Sequence, residues 1–188
     1  LETSPEDVRL VELQDYAVDE SSGAVSFEGS ATLTRADAGG DWSIEPASPD
    51  TELDADRVSS MLEALADLRI TGVRPKPAGL AAGLRADGGL ELGVEEQLSL
   101  QDRGFFVSAD GRLLSNEGEI RVGAADGVVA TLRFGEVLEG DGLAVSAGDA
   151  AAEAGDDAAA AASAVTGEGD RSLHRYVFIT AGFDASLL

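Results

Sequence analysis

Glu117, Glu119 and Glu136 lie close enough in the chain to do chemistry together. Two carboxyl groups facing each other across a cleft are the acid and base of a glycoside-type hydrolase. Acids are too common here for three of them to mark a site, since 36 of 188 residues are Asp or Glu. Other chemistries meet harder limits. The chain has no cysteine, which removes thiolate nucleophiles, thiolate metal sites and disulfides together. Its single histidine, His174, has no G-x-S-x-G elbow to serve and stands beside Arg175 at the start of a strand pattern, a boundary position. One histidine without cysteine also excludes a zinc site built from those ligands. Lys76 is not in a G-x-x-x-x-G-K context, and the glycine pairs 140/142 and 167/169 lack the third glycine of a dinucleotide turn. "DESSG" and "SNEGE" hold fragments of a calcium loop, and neither completes one. The expectation is a non-enzymatic chain with no catalytic residue, cofactor or resident metal, the carboxylate hydrolase being the rival.

Binding is the remaining class. With 13 basic residues against 36 acidic ones the net charge is -23, which repels phosphate backbones and anionic membranes, so nucleic acid is excluded as a partner. Arg69, Arg74 and Lys76, around "VRPKP", form the one basic cluster in this acidic chain. They either receive an anionic group or acidic partner segment, or balance nearby carboxylates. The second candidate contact is the stretch from Ser115 to Glu119, with Ser115, Asn116, Glu117 and Glu119. Its first role is chain reversal, because Asn116 tolerates left-handed backbone and Gly118 adopts it freely.

The elements that position these residues follow from periodicity. In "LDADRVSSMLEALADLRI" the residues Val58, Met61, Leu62, Leu65 and Leu68 recur at helical spacing and form one apolar stripe. Asp54 is its N-cap, Leu53 and Val58 a hydrophobic staple, and Arg69 lies near the end that favours a cation. Ser59 and Ser60 should face water. "VEEQLSLQDRG" predicts a shorter helix stopped by Gly104, and "GLAAGLRA" one helical turn. Each proline of "RPKP" disfavours helix in the residue before it, so that piece is extended. Strands are predicted at "VRLVEL" with Val8, Leu10 and Leu13 inward, and at "AVSFEGSATLTR" with a bulge at Gly29. "WSIEP" closes a hairpin with Trp42 and Ile44 on one face. "FFVS" and "RLLS" flank the turn "ADG", and "EIRVG" and "VVATLRFGEV" flank "AADG", giving two more hairpins. In the last of these, Val128, Ala130, Leu132 and Phe134 alternate with Val129, Thr131 and Arg133, which predicts an antiparallel sheet covered on one face. "LHRYVFITAGF" is a final strand. The fold class is therefore α+β, an antiparallel sheet with one main amphipathic helix and one or two short helices packed on it.

From Leu138 to Asp170 the chain holds eight acids and no base among alanine and glycine runs. So little apolar bulk does not offset the entropy of ordering, so residues 138–172 are expected to be a disordered insertion looped out of a single domain. The chain begins at Leu1 without methionine and has no apolar run long enough to span a bilayer. The expectation is a piece of a longer protein whose anchor lies elsewhere.

The succession "LTR…GGDWSIEP", "DADRVSSMLEALADLRI", "VRPKPAGL" and "SLQDRGFFVS…GRLLSNEGEIRVG…DGVVATLRFGEV" resembles the domain of unknown function 4340 family, in particular long members from planctomycete-type bacteria. The resemblance covers about residues 31 to 137 and resumes at "RYVFITAGFD"; the acidic insertion matches nothing in it. It implies an extracytoplasmic module, anchored by a membrane helix outside this sequence and associated with an ABC-type transport or gliding-type system. No catalytic residues are established for that family, so none is carried over. The implied function is a non-catalytic accessory module contacting a protein partner at a membrane. The alternative is a domain binding a small ligand, glycan or cation.

Overall fold

The computed structural model describes residues 4–19, 24–47, 52–74, 76, 80, 92–108, 110–139 and 173–188. After a 3-10 turn at Pro5–Asp7, β1 (Val8–Val18) pairs with β2 (Val25–Thr34), which pairs with the short β3 (Ser43–Glu45). Helices α1 (Ala55–Ala66) and α2 (Val94–Gln101) follow, then a separate hairpin of β4 (Phe105–Val107) and β5 (Leu113–Ser115). The chain then returns to the main sheet with β6 (Glu119–Ala124), β7 (Val128–Glu139) and β8 (Leu173–Phe183). Among the described residues this is an α+β fold: a six-stranded antiparallel sheet ordered β3-β2-β1-β6-β7-β8, a two-stranded sheet and two helices.

The helix forms where its sequence says it should. Asp54 is extended and its carboxylate accepts from the amides of Asp56 and Arg57, both at 3.1 Å, satisfying two of the donors a helix start leaves open. Val58, Leu62 and Leu65 are buried against Val11, Leu33, Val122, Ala130 and Leu132 of the sheet, with Trp42, Ile44 and Leu53 at the margin. Fully burying side chains of this size contributes about 1.5–3 kcal/mol each. Ser59 and Ser60 face solvent. The helix ends at Ala66, so Leu68 and Arg69 lie beyond it rather than in its last turn.

The strands depart from expectation at several points. The first strand runs on to Val18 instead of stopping at Leu13, and its most buried residues include Val11 and Tyr16, not only the expected set. Tyr16 and Val18 pack in the second cluster while Val11 and Leu13 pack in the first, so no single face carries the apolar pattern, and a register shift opposite Asp15 and Tyr16 falls between Gly29 and Phe27 of β2. That bulge leaves out Glu28, next to the glycine that marks it.

The sheet is also covered on both faces. Opposite α1, Phe105, Leu113 and Leu100 pack with Phe178 of β8 and with Leu80, while Leu114 packs with Tyr16 and Val18. Val129 on this second face is 4% exposed. The alternation of β7 looked one-sided because Arg133 stands on the second face, and its charge is neutralised within the fold. Strand β7 continues through Glu139, so residues 138 and 139 belong to the sheet rather than to the insertion. The rest of the expected insertion, the two prolines of "RPKP" and all of "GLAAGLRA" except the buried Leu80 lie outside the described residues.

Candidate functional site

The two sequence-predicted contact regions have different fates. In the turn after β5, Ser115 is fully buried and its hydroxyl donates to the Gly118 carbonyl at 2.6 Å. Glu119 forms an ion pair with Arg133 at 2.8 Å, with side chains only 12% and 15% exposed. The Arg133 Nε also donates to the Leu113 carbonyl at 2.9 Å, and the Tyr16 hydroxyl donates to the Glu119 carboxylate at 3.4 Å while accepting from the Ser115 amide. Burial, and behind it the Glu119 charge, raises the Tyr16 phenol above its ordinary pKa against the opposing hydrogen bond from Ser115. Half-buried Asn116 donates to Glu136 at 2.6 Å. Gly118 has φ +76°, and a Cβ there would stand 2.4 Å from the Gln14 carbonyl oxygen. No described residue other than glycine takes positive φ, so Asn116 does not use the conformation it tolerates. This turn is a structural knot between β1, β5 and β7.

The three glutamates with catalytic potential are held apart in function by their partners. Glu119 is tied to Arg133, Glu136 to Asn116, and exposed Glu117 to Arg175 at 3.6 Å. Among the described residues no group of three or more metal-ligating side chains converges.

The basic cluster, by contrast, lines a cleft. Beyond α1 the chain from Leu68 to Arg74, with Lys76, passes along the outer edge of β8 and encloses a space of about 330 Å³. Arg69, Arg74 and Lys76 line it, and so do Arg103 after α2 and Arg175 and His174 on β8. Five of the protein's 13 basic residues therefore meet here, and none of the described residues that line it is acidic. The walls are apolar: Leu68, Leu100, Phe105 and Tyr176 among them.

Period-two geometry sorts β8. Tyr176 and Phe178 point to the α2 side, where they join that cluster, and Val177 points to the α1 side. Three of the five cations sit on aromatic rings. Arg74 and Arg103 lie 5.8 and 5.9 Å from the Tyr176 ring, and the Lys76 ammonium 4.5 Å from that of Phe178. Such contacts are worth about 0.5–1 kcal/mol at exposed sites and hold the charges over the cleft. The two contact regions meet at one point, where Glu117 reaches Arg175 on the cleft wall. Arg103 and Arg175 were missed from sequence. Each sits alone at the end of its own element, and only the packing of α2 beside β8 unites them.

No protein-family model matches the chain, and no curated protein or solved structure matches it.

Proposed function

We propose that this domain is a non-catalytic binding module and that the cleft beside β8 docks an acidic, partly apolar segment of a partner protein. One observation carries the reading: five cations converge on an apolar cleft, three of them over its aromatic rings, in a chain where acids outnumber bases 36 to 13. The motifs quoted for the domain of unknown function 4340 family extend the proposal to an extracytoplasmic, membrane-anchored accessory role in transport or gliding-type assemblies; that extension rests on those motifs alone.

The test is an array of peptides graded in acidic and apolar content, probed with the wild-type domain and with Arg69→Glu/Lys76→Glu. Both substituted residues are exposed, so the variant is expected to fold. Binding should rise with acidic and apolar content together and disappear in the variant. Equal binding by both proteins, or no preference for acidic over basic peptides, overturns the reading. The cleft volume favours one second reading, since about 330 Å³ is at the lower end of small-ligand sites. A small amphiphilic carboxylate would then raise the melting temperature with the logarithm of its concentration above its Kd, and no shift across a panel of such acids would dismiss it.

A further inference from the structure

We propose that Glu117 is a built-in competitor for the cleft: its carboxylate holds Arg175 in the free domain and yields it to a carboxylate of the docked segment. The inference rests on the cleft reading above and adds a residue that regulates it. The charged residues around the cleft divide by face. Arg74 and Arg103 lie over Tyr176 and Lys76 over Phe178, on the α2 side of β8. Arg175 alternates with these rings and shares the face of Val177, and it lies 3.6 Å from a carboxylate oxygen of Glu117. Glu117 is not among the described residues that line the cleft, so it meets the site through Arg175.

The turn that carries Glu117 is held on both sides. Asn116 before it donates to Glu136 at 2.6 Å, and Gly118 after it takes φ +76° with its backbone against the Gln14 carbonyl. The Gly118 carbonyl accepts from the Ser115 hydroxyl at 2.6 Å and from the Phe134 amide at 3.3 Å. The Glu117 side chain stands out from this frame, 56% exposed. The turn leads into β6 and Arg175 belongs to β8, with β7 between them, so the pair reaches across one strand. A fixed backbone with a solvated carboxylate places a negative charge beside the cleft without filling it.

Two ion pairs leave this turn, and their geometry sorts them. Glu119 and Arg133 are 2.8 Å apart and 12% and 15% exposed, which makes that pair part of the architecture. Glu117 and Arg175 are 56% and 34% exposed, and their 3.6 Å is longer than an N–H···O hydrogen bond. Water and salt screen a pair of this kind, and it is worth about two- to fivefold in an equilibrium. A carboxylate on a segment seated against the apolar walls meets Arg175 with part of the water removed, where the same charge contact is stronger. Exchange therefore runs toward the partner, and the Glu117 pair lowers the affinity by the factor needed to break it. A neutral segment gains nothing from the exchange and leaves Glu117 in place.

The probe is a fluorescent peptide of glutamate and leucine in equal number, read by anisotropy at neutral pH, with glutamine replacing glutamate in its neutral counterpart. Glu117 and Arg175 are both exposed, so Glu117→Gln, Arg175→Gln and the double variant are expected to fold as wild type does. Glu117→Gln should bind the acidic probe about two- to fivefold more tightly and the neutral one unchanged. Glu28→Gln removes the same charge from an exposed position on β2, with three strands between it and β8, and should change binding by less. In the Arg175→Gln background the gain from Glu117→Gln should vanish, because no pair is left to break. Weaker or unchanged binding by Glu117→Gln overturns the competitor, since a merely structural pair or a direct contact with the partner gives that result. A gain that persists without Arg175 overturns it as well and reports simple repulsion of the probe. In either case the cleft reading stands if Arg69→Glu/Lys76→Glu loses the probe. Equal binding by that variant and wild type, or no binding by either wild type or Glu117→Gln, overturns the cleft reading and the competitor together.

Discussion

Glu119→Gln tests whether the turn after β5 is architecture or site. The Glu119–Arg133 pair is 2.8 Å apart with both side chains largely withdrawn from water. Removing one partner of a buried pair costs about 3–5 kcal/mol, because the other charge stays desolvated without compensation. Arg133 would keep the Leu113 carbonyl at 2.9 Å and the Thr180 hydroxyl at 3.4 Å, which places the loss at the lower end. Removing one of 36 acids also relieves some self-repulsion, again lowering the cost. The expected loss is about 3 kcal/mol, or a fall in melting temperature of roughly 6–12 °C for a domain of this size. Urea unfolding of wild type, Glu119→Gln, Arg133→Met and the double variant provides the measurement. The double variant should be markedly more stable than the sum of the two losses predicts, since neither orphaned group remains. A loss under about 1 kcal/mol, or strict additivity, would refute the buried-pair argument and return Glu119 to the list of available contact residues.

Three further outcomes follow from the same geometry. Tyr16 should ionise above its ordinary pKa because burial disfavours the phenolate. Its protonated form therefore contributes stability in full below the unfolded value of about 10, and that contribution is lost as pH rises through the higher folded value. The tyrosinate absorbance of wild type minus that of Tyr16→Phe isolates the group, and a Tyr16 titrating at or below the ordinary value contradicts its burial. Gly118→Ala forces a side chain into φ +76° and against the Gln14 carbonyl, so it should cost at least about 2 kcal/mol; a urea midpoint close to wild type would disprove the close approach of β1 to the turn. Replacing residues 140–172 with Asn-Gly should leave a single cooperative unfolding transition, because Glu139 and Leu173 already face each other across the β7–β8 pair and a two-residue turn joins such strands. Loss of cooperativity would show that the segment is part of the core.

The parts legible in the sequence are those fixed locally. The cap on α1 needs Asp54 and the two amides next to it, and the β6–β7 hairpin needs Gly127 between two alternating runs. Burial on the second face depends on elements far apart in the chain. Arg133 has the look of a solvent-facing residue until Glu119, Leu113 and Tyr16 are brought around it. Leu68 continues the apolar stripe in sequence, yet the helix stops at Ala66 and the residue lines the cleft instead. The cleft itself was half visible. Arg69, Arg74 and Lys76 stand out as a cluster, but Arg103 and Arg175 are 72 residues apart (175 minus 103) and become neighbours only when α2 packs beside the sheet edge.

The charge distribution limits what can reach that cleft. At a net charge of -23 the domain repels an acidic partner at a distance, and physiological salt screens that repulsion beyond about 8 Å. At closer range the five lining cations act on a partner directly. A highly charged polyanion without apolar residues meets the repulsion and finds no use for the walls formed by Leu68, Leu100, Phe105 and Tyr176. An apolar segment without acids makes no use of the charges of Arg74, Lys76 and Arg103 held over Tyr176 and Phe178. If the cleft docks a partner as proposed, the combination would disfavour both and favour a segment that carries acidic and apolar groups together, and the acidic surface would then take part in selection as well as in solubility.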